Sequence, residues 1–286
     1  MRITALTEAP GPSAYRLAWI AAGDDGHPVA TAYLRVGTTA EAQHRAEAEV
    51  AVHPAERRRG AGTALLAEAV TAARGLGRRT LVAGPVAAGS PGEAFLRARG
   101  LRPVLALTYA RLALADVSAA PAEPHPGYRL VVWEGTVPDE LAATFTAARR
   151  AMDDMPMDEA DVAPQTWDVD RVRAVAAAVA ARGDVLCTVT AVAETDGSIV
   201  GFSELVVPGT GTADAQHYGT AVLSGHRGRG LARRMKAEAI RHIRQRHPDV
   251  PGLLTDTADS NVAMRRVNDA LGYRSTHRSL LFQLDL

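Results

Sequence analysis

Apolar and polar positions alternate along "AYRLAWIAA" (14–22) and "PVATAYLRV" (28–36), the two-residue period of strands. Strands therefore fill the start of the chain and leave little room for helices before residue 57. From residue 50 the pattern changes to a short apolar strand, an arginine- and glycine-rich turn, and an alanine- and leucine-rich helix. A second strand at 80–83 and a further helix follow. After a Pro-, Ala- and Gly-rich stretch at 115–130, the second half predicts a strand in "YRLVVW", a helix in "VPDELAATFTAARRAM", and another in "DVDRVRAVAAAVAARG". Strands at 185–192, 198–207 and 218–223 come next, then a turn, a helix, a strand at 252–255 and a last helix. Each half is mixed α/β.

The two turns repeat one another. In the first, Arg57 stands three residues before Gly60, and Gly62 follows two later; in the second the same places hold Arg227, Gly230 and Ala232. From Gly62 to Gly100 is 38 positions and from Ala232 to Gly272 is 40, so the agreement extends over a whole strand–turn–helix–strand–helix unit. The first turn of a helix has unpartnered N–H groups and partial positive charge, and glycine lets an anion approach the backbone. Such a turn after a strand is a candidate phosphate site, with a plain solvated turn as the alternative reading.

Composition narrows the field. The chain has 286 residues, a formal net charge of zero and 47% hydrophobic residues, enough for two domains with full cores. No apolar run reaches membrane-spanning length, and the first residues lack the apolar core of a signal peptide, so a cytoplasmic protein with no membrane partner is expected. Balanced charge argues against nucleic acid. The lone cysteine, Cys187, excludes an intrachain disulfide and a cysteine-based zinc site, and the alternation of "DVLCTVTAV" makes it a small core residue. No metal is expected.

These motifs resemble the GNAT superfamily of acetyl-CoA-dependent N-acyltransferases. Its [RQ]-x-x-G-x-[GA] signature is matched by Arg57, Arg58, Arg59, Gly60, Ala61 and Gly62, and again by Arg227, Gly228, Arg229, Gly230, Leu231 and Ala232. Its later N-x-x-[AM] and L-G-[FY] pattern is matched by Asn261 with Met264 and by Leu271, Gly272 and Tyr273. The resemblance implies two tandem domains of mixed, splayed sheet flanked by helices, distantly like the two-domain mycothiol synthase. It implies a shortened, non-catalytic domain over 1–117, a linker over 118–127 and a catalytic domain over 128–286. It further implies acetyl-CoA held on the backbone of the second turn, with Val222, Leu223, Asn261 and Asn268 adjoining. The first turn is a possible second site.

The implied reaction is direct attack of a small-molecule amine on the thioester, in a monomer or homodimer. It needs a carbonyl polariser, a base for the ammonium and help for the leaving thiolate. A backbone N–H near Val222 or Leu223 would be the oxyanion donor. Asn268 stands where many relatives carry a tyrosine acid, and an amide is no acid at neutral pH; Tyr273 is either near the site or packs a strand. Gly219 stands at the usual glutamate base. His217, with an ordinary pKa near ~6.5, is expected by alternation to share Gly219's face, as a base or as a structural histidine; Glu204 is a base or an exposed strand residue.

In the first half Glu49 occupies the base position, but Glu47 and Glu49 read as solvated residues along an edge. The acidic segment 151–162, with Asp153, Asp154, Asp158, Glu159 and Asp161, could attract a cationic amine or be a solvated loop that caps the next helix. Trp167 either lines a pocket or anchors a helix entrance. The alternative class of function is a catalytically degenerate acyl-CoA-binding module.

Overall fold

The computed structural model describes all residues except 10, 12, 13, 41, 118–124 and 162–165; most of the expected linker lies outside the described residues. In chain order the strands and helices are β1 (Arg2–Thr7), β2 (Ala14–Ala22), β3 (Pro28–Gly37), β4 (Arg45–Val52), α1 (Ala61–Gly75), β5 (Thr80–Ala87), α2 (Pro91–Ala98) and β6 (Arg102–Ala113). They continue as β7 (Tyr128–Glu134), α3 (Asp139–Ala148), α4 (Val169–Ala181), β8 (Val185–Ala193), β9 (Ile199–Val207), β10 (Ala215–Val222), α5 (Leu231–Arg246), β11 (Gly252–Ala258), α6 (Val262–Ala270) and β12 (Arg274–Asp285).

The chain folds as two compact units that are not the contiguous spans 1–117 and 128–286. Unit 1 is Met1–Leu107 with Met157–Pro164 and Arg278–Leu286; unit 2 is Thr108–Pro156 with Gln165–His277. The long strands β6 and β12 had no counterpart in the sequence reading, and each changes unit part-way along its length. The segment 157–161 sits with unit 1, where Asp161 is fastened. Its carboxylate meets His44 Nε2 at 2.9 Å and accepts from Thr80 Oγ1 at 2.9 Å, and its N–H donates to Gln283 Oε1 at 3.2 Å. Glu159 accepts from Arg102 at 2.7 Å in the same unit. The acidic loop is therefore not simply solvated.

In unit 1 the strand order is β1-β2-β3-β4-β5-β12. All steps are antiparallel except β4 to β5, which run parallel and pair only from Arg45 with Thr80 to Ala48 with Ala83. One face packs on α1 around Leu34, Leu65, Leu66, Leu81 and Phe282. Among the described residues no helix lies between β1 and β4, so the other face stays open and β3 alternates between buried and exposed. Glu47 and Glu49 lie on that open face, but β4 is an inner strand rather than an edge, and Glu47 pairs with Arg35 and Arg45.

In unit 2 the order is β6-β11-β10-β9-β8-β7. Its core has two layers, one on α5 around Leu205, Met235, Ile240 and Leu253, the other on α3 around Trp133, Phe145 and Phe202. With both faces covered, all nine residues of β9 are buried. Strand β10 pairs antiparallel with β9 and parallel with β11, but the parallel pairing ends after Ala215 with Leu253 and Gln216 with Leu254. Beyond Gln216 the two strands part, and one edge of β10 is left open toward its C-terminal end. Cys187 is fully buried on β8, and burial pushes its thiol up to about 12, as befits a core residue.

Candidate active site

The open edge of β10 leads directly into the second Arg/Gly turn. Leu223 N–H donates to Val200 C=O at 2.8 Å, so strand alternation turns the N–H groups of Val222 and Thr220 away from β9 toward the opening. The Val222 N–H thus faces the opening, whereas the Leu223 N–H is committed to the sheet and offers no donor to a ligand. The turn folds back on the strand through Arg227, whose Nε donates to Val222 C=O at 2.8 Å. Gly228 and Gly230 both have left-handed backbone, φ 74° and 73°, which glycine adopts without strain. Gly230 is also the N-cap of α5 and provides no side-chain cap, so the first N–H groups of the helix, beginning at Leu231 and Ala232, lack a side-chain acceptor. Open N–H groups, helix dipole and arginine here favour an anion.

A cavity of about 470 Å³ lies over this turn. Its walls include Thr220, Ala221 and Val222 from β10, the turn with Leu231 and Ala232, and Asn261, Met264 and Val267 at the start of α6; Met152, Asp154 and Met155 close another side. Asn261 caps α6, its side chain accepting from Met264 N–H at 3.1 Å, which is the local reason for that Asn-to-Met spacing. Asp154 bonds Arg227 at 2.6 Å, and this hydrogen bond holds its carboxyl below the usual carboxylate range. Arg229 lies over the Tyr128 ring at 6.0 Å.

The expected catalytic residues do not line this cavity. Pairing shifts between His217 with Leu205 and Gly219 with Glu204, so Tyr218 bulges and the alternation is broken. His217 consequently turns to the α5 layer, opposite the face of Gly219. There its Nε2 meets Tyr273 Oη at 2.7 Å, and burial holds the ring neutral, well below the ordinary histidine range. Tyr273 packs in that core and burial pushes its phenol up. Asn268 is buried too, donating to Thr257 at 3.1 Å. Gly219 lies on the face that Met152 covers, where a Cβ would meet Met152 Cε at 3.4 Å, so a glutamate would require that side chain to move.

Glu204 is the clearest correction. It is 3% exposed and grips Arg149 through two hydrogen bonds of 2.7 and 2.8 Å. Arg149 in turn lies 4.2 Å over Trp167, 4.9 Å over Phe202 and 5.1 Å over Phe145. Burial pushes the Glu204 carboxyl up while Arg149 pulls it down, and both oxygens are occupied, so the pair is a packed ionic clamp rather than a free base or a solvated residue. The sequence reading missed Arg149; a Phe-x-x-x-Arg spacing on a helix ending beside a tryptophan was its one trace. Helix α4 is capped not by the acidic segment but by Asp168, which accepts from Arg171 N–H at 2.7 Å.

Unit 1 repeats the turn in detail. His53 N–H donates to Val29 C=O at 2.9 Å, Arg57 Nε donates to Val52 C=O at 3.2 Å, and Gly60, φ 90°, is the uncapped start of α1. Arg58 takes the left-handed conformation, φ 65°, that Gly228 takes in the other copy. Arg59 is tied to Glu56 at 2.8 Å, Ala61 is buried, and a Cβ on Gly62 would already meet Val52 at 3.2 Å.

A sequence profile of the acetyltransferase (GNAT) family matches residues 7–100 and 151–273. No functionally curated protein matches significantly. Among solved structures, the chain is similar to a tandem GNAT protein from the clavulanic acid biosynthesis pathway, at 26% identity and TM-score 0.74, over 97% of this chain and 84% of that one. It also resembles a GCN5-related N-acetyltransferase from Sphaerobacter thermophilus, at 19% identity and TM-score 0.69 over 94% and 80% of the two chains. A third, from Kribbella flavida, gives 16% identity and TM-score 0.54 over 98% and 89%; these two bear on fold alone. Two copies of one strand–turn–helix unit, each inside a span that the profile matches, make this chain a tandem member of the acetyltransferase (GNAT) family.

Proposed function

We propose that unit 2 transfers an acetyl group from acetyl-CoA to the amine of a small molecule by direct attack in a ternary complex, and that unit 1 contributes no turnover. The observation that carries this reading is the parting of β10 from β11 beyond Gln216, which opens a strand edge leading into the uncapped start of α5 and its cavity. The residues fit coenzyme A. Backbone N–H groups of Gly228 through Ala232 and the Arg227 side chain suit a pyrophosphate, and the Val222 N–H suits the thioester oxygen as its charge develops. Bound acetyl-CoA supplies an activated acyl group, so the chain needs no nucleophile of its own.

The acceptor side combines apolar Ala151, Met152, Met155 and Pro156 with the carboxylate of Asp154, a surface suited to a cationic amine with an apolar body. With Glu204 clamped and His217 on the far face, proton removal from the ammonium falls to water in the cavity. Unit 1 has the anion turn but, among the described residues, no helices over its open face, so a thioester there would have no positioned amine. Acetyl-CoA-dependent thiol release with a panel of amines tests the reading: release that requires both reactants supports it, and tight binding without release by any amine overturns it.

A further inference from the structure

Lys236 is the one lysine in the chain; the other 31 basic Lys/Arg positions are arginine. That lone lysine is buried, 1% exposed, on α5. An arginine guanidinium keeps its proton, whereas a buried ammonium can release one, so this position differs in chemistry from every other cation of the sequence.

Its placement follows from the elements around the cavity. Ala232 lines the cavity, and Lys236 is four residues on along the same helical face, about 6 Å further along the helix. On β10, His217 is the first residue past the last pair with β11. On α6, Met264 and Val267 line the cavity and Asn268 comes next. Lys236 and Asn268 thus follow cavity-lining residues of α5 and α6, and His217 stands where β10 leaves β11. Tyr273 joins them, its hydroxyl 2.7 Å from His217 and its ring 4.9 Å from Lys236 Nζ. One buried polar atom in this layer, Asn268 Oδ1, has no partner, which in a native core calls for an explanation such as a ligand.

The Tyr273 ring and His217 stand about Lys236, and Asp256, on the exposed face of β11, acts on it through its charge. Burial draws the ammonium down to about 7, opposed by the charge of Asp256. Burial and the charge of Lys236 keep His217 neutral, and burial keeps Tyr273 protonated. Lys236 is accordingly the cation of this layer.

Building on the coenzyme A reading above, we propose that Lys236 stands opposite the sulfur in the β10–β11 opening, where its ammonium stabilises the leaving thiolate and then protonates it. The acyl C–S bond breaks with its electron pair on sulfur, an N–H bond of Lys236 breaks as S–H forms, and the proton shed by the attacking amine returns to the neutral lysine through water. This gives the thiolate a proton source where Asn268 provides none.

A single lysine makes the test direct. Protein labelled with 13C at lysine Cε should give one side-chain signal, which is titrated alone, with coenzyme A sulfonate, whose oxidised sulfur carries a fixed negative charge, and with desulfo-coenzyme A, calorimetry verifying that each binds. The fixed charge of the sulfonate should raise the midpoint by roughly one unit or more over the desulfo complex, as an opposite charge within about 4–6 Å does. Lys236→Met should lose roughly tenfold in affinity for coenzyme A sulfonate at pH 6, where an ammonium drawn down to about 7 carries its charge, and keep its affinity for the desulfo compound. If both ligands bind wild type and the signal titrates identically, the proposal is overturned whatever the variant does. If neither binds, the coenzyme A reading itself fails and takes the proposal with it.

Discussion

Gly230→Asp puts a carboxylate at the N-cap of α5, where the account places coenzyme A phosphate. A Cβ at Gly230 has nothing within 4 Å, so no steric clash accompanies the change, and the backbone, φ 73°, costs a non-glycine residue about 1 kcal/mol. An aspartate there is otherwise a good helix cap, so the variant should fold. A phosphate about 5 Å from the new carboxylate is repelled by roughly 1 kcal/mol at the dielectric of water and about 3 kcal/mol at an effective value of 20. Coenzyme A affinity should therefore fall by about 5- to 200-fold, and the loss should shrink as salt is raised. Gly230→Asn has nearly the same shape and backbone strain without the charge. Calorimetry on both variants separates the effects: asparagine should lose far less than aspartate. Equal losses in the two, or unchanged affinity in a folded aspartate variant, would refute the assignment.

Gly60→Asp, the matching change in unit 1, should leave kcat within about twofold of wild type, taking ~0.4 kcal/mol as the tolerance; a loss equal to that of the Gly230 variant reverses the roles of the units. Glu204→Gln leaves Arg149 charged and buried without its partner, so chemical denaturation should report a loss of about 3–5 kcal/mol, and the paired change Glu204→Gln with Arg149→Met should recover part of it. Stability should also depend on Lys236. The unfolded chain holds that proton up to about 10.5 and the folded chain only to about 7, so the unfolded state binds more protons between those values and stability rises with pH across the window. Lys236→Met should be more stable than wild type at pH 7, with a difference that narrows by up to about 1.4 kcal/mol per pH unit toward pH 10; curves that run parallel contradict this.

The local reading of the chain was good wherever one segment determined the outcome. The 14–22 stretch is β2 to the residue, and 28–36 is β3 but for its last residue, because a sheet covered on one face leaves a period of two in the sequence. The turns were legible because glycine at Gly60, Gly228 and Gly230 answers to left-handed backbone that few other residues take up. What the sequence did not reveal depended on contacts between distant segments. The ends of the units were hidden because β6 and β12 are each single strands with halves in different units. His217 was misplaced because the bulge at Tyr218 inserts one residue and turns every earlier side chain of β10 to the other face. Glu204 looked like an exposed residue because its partner, Arg149, lies 55 positions away.

The account rests on unit 2 being a working transferase, and the most direct measurement of that is the rate of thiol release from acetyl-CoA across a panel of small amines, for wild type, Gly230→Asp and Gly60→Asp. The prediction is release that requires both acetyl-CoA and an amine, is lost in Gly230→Asp and is kept in Gly60→Asp. No release with any amine, from wild-type protein that calorimetry shows to bind acetyl-CoA, would contradict it.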